Sequence, residues 1–410
     1  MRIEKEMEKR KLQLYVHIPF CVKKCRYCDF LSAPAPEDVR QAYTEQLKKE
    51  IAVMGRLYQD RCITSIFVGG GTPSMLDTGQ MNGILRQLAE SFVIAPDAEV
   101  TVECNPGTVD VDKLRAYQNA GVSRLSFGLQ SSDDHELQLL GRIHTYEQFV
   151  KNYETARQLG IQNINVDIIF ALPGQTASSY EKTLEKVIAL QPEHISAYSL
   201  IIEEGTPFFE LYGQAAQLRE KGKEQRLLPS EEEERKMYTL TGKRLQDAGY
   251  KRYEISNYAK DGFACRHNTG YWLRRDYLGL GLGAASLVEN VRFSNTEKLK
   301  EYLTIDFMEN MEKDSVFPTQ SVQLSAAAVH REELSVPAQM EEFMFLGLRM
   351  MCGVSSAEFQ RQFLKTIEEV YGNVLDEQLK QGLIVRTKDG YCLTAYGTDV
   401  SNYVMSAYLF

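Results

Sequence analysis

Little in this sequence suits a membrane, a secretory route or nucleic acid. Among its 410 residues no apolar run approaches the ~20 needed to cross a bilayer. The first ten residues, Met1 to Arg10, are charged and hold no apolar h-region, which argues against a secretory signal. A cytoplasmic protein with at most a peripheral membrane contact is expected. Lys and Arg number 47 against 56 Asp and Glu, and the resulting net charge of −9 argues against a nucleic-acid binder. Eight cysteines in so long a chain are too few for a disulfide framework and read as metal or redox chemistry. Cys62, Cys104, Cys352 and Cys392 lie singly in apolar stretches, as buried inert thiols do. His135, His144, His194 and His330 are scattered and read as surface or structural.

What is present is a repeating α/β pattern. Short runs rich in Val, Ile and Phe fall at Leu14–Ile18, Ser65–Val68, Glu99–Glu103, Arg124–Leu129, Asn163–Phe170 and Ile195–Leu200, as strands buried on both faces should. Helical stretches separate them. Asp77 with Gln80 and Ser230 with Glu233 read as capping boxes. Gly121, Gly160 and Gly249 each follow a helical pattern and precede a strand, where a left-handed C′ residue belongs. Six β–α units imply a parallel sheet and fall short of the eight that close a barrel. The predicted fold is therefore α/β, a partial (β/α)6 barrel over residues 1–210. An extension over 211–319 follows, with residues 206–229 read as a charged connector. Residues 320–410 carry helices near 338–351, 356–363 and 366–381, then strands Leu383–Thr387 and Tyr391–Leu393. That predicts a mostly helical, winged-helix-like domain. With five Lys/Arg against seven Asp/Glu between positions 355 and 400, it is no DNA reader.

The chemistry is concentrated at Cys21-Val-Lys-Lys-Cys25-Arg-Tyr-Cys28. Cys-x3-Cys-x2-Cys puts three thiols on one loop. A 4Fe–4S cluster takes four ligands, so three cysteines leave one iron open to a chelating ligand such as S-adenosylmethionine (SAM). A Cys3His zinc site that includes His17 is the competing reading. Alternation along Leu14–Ile18 puts Tyr15 and His17 on one face, so His17 can line a site without being a ligand. Tyr27 and Phe30 would shield a cluster from water. This spacing resembles the radical-SAM superfamily, and further motifs agree. Gly69-Gly70-Gly71-Thr72-Pro73 ends the second strand and resembles the family segment that meets the SAM amino group. Glu103, Gln130, Arg142 and Asp167 stand at later strand ends or just after them. A carboxylate there suits ribose hydroxyls, and an Arg fork suits a carboxylate. Alone, any of these reads equally as a structural ion pair. Together with Tyr15, Gly70, Gly71 and Thr72 they match the SAM contacts of the coproporphyrinogen-dehydrogenase branch.

Within that branch the decarboxylating enzymes carry a fourth cysteine two residues after the third. Here Phe30 takes that place, in the Cys-Asp-Phe form of the HemW haem-chaperone family. A second motif, Cys265-Arg-His267-Asn-Thr-Gly-Tyr271-Trp272, is similar to the HNxxYW signature of that family. His and Cys are common haem ligands, and Tyr271 with the chain's only tryptophan offers flat surface for a porphyrin. A hydrogen-bonded core histidine is the alternative for His267. Many members of the family have His where Ala285 stands, so one candidate ligand is missing. The resemblance implies a haem chaperone that serves haem-requiring, respiratory enzymes. A flavodoxin- or ferredoxin-type electron donor is needed if SAM is cleaved, and a homodimer is left open. The alternative is an oxygen-independent coproporphyrinogen III oxidase, a SAM-dependent radical decarboxylase.

Overall fold

The computed structural model describes residues 9–308 and 322–409. Most of the charged leader and the boundary expected at 319/320 lie outside the described residues. The six strands form where the sequence places them: β1 (Arg10–Ile18), β2 (Arg61–Gly70), β3 (Val93–Cys104), β4 (Arg124–Gln130), β5 (Ile164–Phe170) and β6 (His194–Ser199). Each pairs in parallel with the next. On the β1 side the sheet continues through β9 (Tyr277–Leu280), β10 (Ala285–Val288), β11 (Val291–Asn295) and β12 (Ala328–Glu333). On the β6 side it adds β8 (Asn257–Ala259) and then β7 (Lys251–Arg252). Among the described residues β12 and β7 do not pair with each other, so the sheet stays open.

Local signals explain the helix ends. Asp77 and Gln80 make the reciprocal capping box. Gly121, Gly160 and Gly249 have φ of +87°, +84° and +88°, the left-handed stop that a Cβ would strain. Two expectations need correction. Ser230 accepts from the Glu233 N–H, but Glu233 does not return the bond. Its carboxylate instead accepts from the N–H of Ala177, 2.7 Å away, at the start of the helix Ala177–Leu190. The charged connector contains a helix, Pro207–Glu220, capped by Thr206 with Pro207 in its first turn. That is where proline suits a helix, because its missing N–H would have no partner there.

Period-2 alternation sets the barrel interior in layers. The register aligns Gln13 with Ser65 and Tyr15 with Phe67. It aligns Ser65 with Glu99, Gly128 with Asp167, and Asn165 with His194. Residues early in the strands make a floor, and residues at the carboxyl ends make a mouth.

A second core, which includes Met344, Phe359, Leu375, Tyr391 and Tyr408, holds the C-terminal region. Helices Val336–Gly347, Ser356–Phe363 and Ile367–Lys380 pack there with the small sheet of β13 (Val354–Ser355), β15 (Gly390–Leu393) and β14 (Ile384–Arg386). Two-residue β13 is too short to show a period and was not visible in the sequence. The region docks under the barrel: Met351 N–H donates to the Tyr253 carbonyl at 2.9 Å, and Arg349 pairs with buried Glu254 at 3.3 Å. Cys352 is exposed, not buried, because it sits in the turn before β13. Cys62 and Cys392 are half-buried, and Cys104 is buried as expected.

Candidate functional site: the barrel mouth

One pocket at the carboxyl ends of the strands gathers eleven of the sixteen predicted site residues. It is lined by Cys21, Cys25, Cys28, Tyr27, Gly70, Gly71, Thr72, Glu103, Gln130, Arg142 and Asp167. The cysteine loop leaves β1 and is fastened by several backbone bonds. Cys21 and Ala33 are joined through the Cys21 N–H and Ala33 carbonyl at 3.3 Å. Ala33 N–H bonds the Pro19 carbonyl, and Arg26 N–H the Leu140 carbonyl, each at 3.0 Å. His17 does not complete a zinc set with these thiols. Its Nδ1 lies 2.9 Å from the Tyr15 hydroxyl and its Nε2 2.9 Å from the Leu31 carbonyl, so both ring nitrogens are engaged. Three thiols on one pocket wall fit a cluster with one uncoordinated iron. Burial raises the pKa of Cys21 and Cys28, and a bound metal would reverse that by deprotonating them.

The glycine turn fits closely beneath. A Cβ on Gly70 would lie 2.6 Å from the His17 ring, and one on Gly71 2.5 Å from the Phe20 carbonyl oxygen. Gly70 also has φ +113°, which side-chain-bearing residues avoid. Its N–H donates to Glu103 Oε2 at 3.1 Å. Burial first, and then the charge of Asp167, push the Glu103 carboxyl up to about 8. Burial likewise raises Asp167, which accepts from Asn165 at 2.7 Å and Ser126 at 3.2 Å. Arg142 donates to Asn105 Oδ1 at 2.8 Å and the Gly128 carbonyl at 2.6 Å, and points Nη1 at the Cys25 sulfur, 3.6 Å away. The mouth therefore joins a cation, two carboxylates and a close-packed glycine turn beside three thiols. That set can grip an amino acid's two charged ends and a ribose.

Five predicted residues lie elsewhere. Tyr15 sits one layer down, stacked on Phe67 with ring centroids 6.5 Å apart. Cys265, His267, Tyr271 and Trp272 lie outside this pocket and belong to the floor. His267 is 1% exposed, with Nδ1 2.9 Å from Ser65 Oγ and Nε2 2.9 Å from the Tyr271 hydroxyl. Neither nitrogen is free for iron. Burial, and then the charge of Arg124, lower its pKa to about 3. Its neighbours are equally committed. Glu99 accepts from the N–H groups of Arg266 and His267, each at 3.1 Å, and lies 3.5 Å from the Cys265 sulfur. Burial pushes that thiol up to about 12. Trp272 lies under the Arg349 guanidinium, 4.3 Å from the ring centroid. The motif thus plugs the barrel floor and fastens the C-terminal region to it.

Residues 15–187 match the radical SAM superfamily, and residues 334–400 match the HemN C-terminal domain. The chain is 32% identical to the heme chaperone HemW of Bacillus subtilis (strain 168) over 400 residues, covering 96% of this chain and 98% of that protein. It is 32% identical to the heme chaperone HemW of Escherichia coli (strain K12), covering 97% and 98%. The chain belongs to the HemW family. Family membership implies a 4Fe–4S cluster and SAM as cofactors. The solved coproporphyrinogen III oxidase (HemN) of Escherichia coli shares the fold, with a TM-score of 0.79 at 23% identity over 98% of this chain and 90% of that one. Among the described residues no helix is long and apolar enough to cross a membrane.

For a HemW-family mouth, sequence reasoning missed Asn105, Ser126 and Gly128, which also line the pocket. Alternation on β4 from Gln130 back through Gly128 to Ser126 was the available signal. Asn105 directly follows Glu103-Cys104, and its Nδ2 donates to Thr72 Oγ1 at 2.7 Å while its Oδ1 takes Arg142.

Proposed function

We propose that this protein is a haem chaperone built on a radical-SAM scaffold: it binds haem and delivers it to haem-requiring, respiratory enzymes. The similarity to HemW chaperones over nearly the whole chain carries this reading. Phe30 supports it. It stands where the decarboxylase pattern has a fourth cysteine, and it is 62% exposed beside the cluster loop.

In this reading Cys21, Cys25 and Cys28 hold the 4Fe–4S cluster, which supplies an open iron for chelation and an electron on reduction. The chain's own residues bind and orient SAM. Gly70, Gly71 and Thr72 present backbone to its amino group. Arg142 faces its carboxylate, and Glu103, Gln130 and Asp167 take the ribose and sulfonium side. Tyr27 excludes water, and Tyr15 supports the layer below. The protein works in the cytoplasm, meets membranes at most peripherally, and takes electrons from a flavodoxin- or ferredoxin-type donor if SAM is cleaved. Assembly as a homodimer would be gated by the cluster.

The test is anaerobic purification with cluster reconstitution, then two assays on one sample. Haem titration should give a saturable Soret shift, and coproporphyrinogen III should remain unconverted. Efficient decarboxylation without saturable haem binding would overturn the proposal.

A further inference from the structure

We infer that haem binds in an apolar groove on the outer side of the cysteine loop. This rests on the haem-chaperone reading and names where the ligand sits. The groove holds about 480 Å3, within the range of about 300 to 1,000 Å3 typical of small-molecule pockets. Its walls are Phe20, Phe30, Leu31, Leu282 and Leu299, with small apolar residues between them. Phe30 is the most exposed large aromatic near the cluster loop and offers a flat apolar face. A planar tetrapyrrole is the ligand class that combines such an apolar body with charged carboxylates at one edge.

Three observations favour that occupant. First, Lys24, Phe30 and Ser32 line both this groove and the cluster pocket, so a ligand here touches the loop that a bound cluster would order. Second, among the described residues Lys24 is the only cation of the lining. Asp29 and Glu297, its two carboxylates, repel propionates, so these can be held only on the Lys24 and Ser32 side of the lining. Third, one wall is rigid. Buried Glu50 accepts from Gly281 N–H at 2.8 Å, Asn295 Nδ2 at 2.7 Å, Tyr302 Oη at 2.6 Å and Ser325 Oγ at 2.7 Å. The Tyr43 hydroxyl, which donates to the His17 carbonyl at 2.7 Å, accepts from Leu282 N–H at 3.0 Å. Leu282 is thus fixed before any ligand arrives, which lowers the ordering cost of binding.

Among the described residues the lining contains no His, Cys, Met or Tyr. Haem held here is gripped by its macrocycle and propionates, without a strong axial ligand from the groove. Such a site suits a carrier that must release its cargo to a better ligand.

The experiment uses the cluster-loaded full chain, with haem titration followed by competition with metal-free protoporphyrin IX. Phe30→Asp and Leu299→Asp should each weaken haem binding at least about tenfold, and in Leu299→Asp, which lies off the cluster pocket, iron and sulfide content should stay at the wild-type level. Metal-free protoporphyrin should compete at an affinity within about threefold of haem, because the groove offers iron no ligand. Unchanged haem affinity in both variants, or failure of the metal-free porphyrin to compete, overturns the groove while the chaperone reading stands. Absence of saturable haem binding by the wild type overturns the chaperone reading itself.

Discussion

The mouth and the floor of this barrel are made from the same strands and differ in what they leave unfinished. At the floor, His267, Cys265, Glu99 and Gln13 hydrogen-bond to one another or to Ser65 and Tyr271 in nearly complete burial. At the mouth, three thiols, a guanidinium and two carboxylates with raised pKa line an open pocket. The floor's histidine, thiol and carboxylate are spent on neighbours in full burial, although Gln13 Oε1 and Trp272 Nε1 keep no partner. The mouth's groups, in contrast, keep their chain partners and still border an open pocket. Both regions carry family signatures, so a motif alone does not tell a structural plug from a ligand site. The partners of each side chain do.

The contrast breaks most sharply under substitution. Replacing Cys21, Cys25 or Cys28 with Ser should abolish the cluster with little change in fold, because these thiols have few partners in the chain. Iron and sulfide per chain after anaerobic reconstitution should fall to near background, while circular dichroism stays as in the wild type. Wild-type cluster content in any of the three would remove that residue from the ligand set. His267→Ala should do the reverse. It leaves a cavity and strips Ser65 and Tyr271 of a partner, costing about 3 to 5 kcal/mol of stability in urea unfolding. Its cluster content and haem affinity should match the wild type at temperatures where it is folded. Loss of haem binding from a well-folded His267→Ala would return the motif to the ligand site.

The mouth was more legible than the floor for a physical reason. Cysteine spacing, glycine turns and strand-end carboxylates are local features, and the strands that carry them announce their ends by composition. Tyr271 and Trp272 look alike in sequence whether they face a porphyrin or a neighbouring helix. Arg349, the partner of Trp272, lies in a segment whose docking depends on Met351 meeting Tyr253. Such a contact joins positions about a hundred residues apart and leaves no local pattern. Glu233 shows the same limit at smaller scale: its spacing from Ser230 fits a box, yet a nearer N–H from another helix took the carboxylate.

The joint between floor and C-terminal region gives the next effect. Arg349→Ala removes the cation over Trp272 and leaves Glu254, 0% exposed, with only its bonds from Ser256 N–H at 2.7 Å and Asn257 Nδ2 at 2.6 Å. A loss of about 2 to 3 kcal/mol is expected, between the values for a partly exposed and a fully buried ion pair. Hydrogen exchange should rise along Val336–Gly347 before it rises in β2. Uniform change across the chain would mean that the joint is not a separate unit.

A last effect is a slope with pH, and its sign separates the mouth from an ordinary carboxylate site. Glu103 has its pKa raised from 4.5 to about 8 by burial and by Asp167. Between those values the folded chain holds a proton at Glu103 that the unfolded chain has lost. Stability from this residue is therefore present below about pH 4.5 and falls as pH rises toward 8. Glu103→Gln keeps the shape and cannot ionise. The variant should gain on the wild type steadily from about pH 5 to about pH 8, then run parallel, when urea midpoints are compared without added SAM. A gain in the opposite direction would mean that Glu103 is ionised in the folded protein and paired with a cation. The mouth would then be internally satisfied like the floor, and the distinction between the two regions would fail.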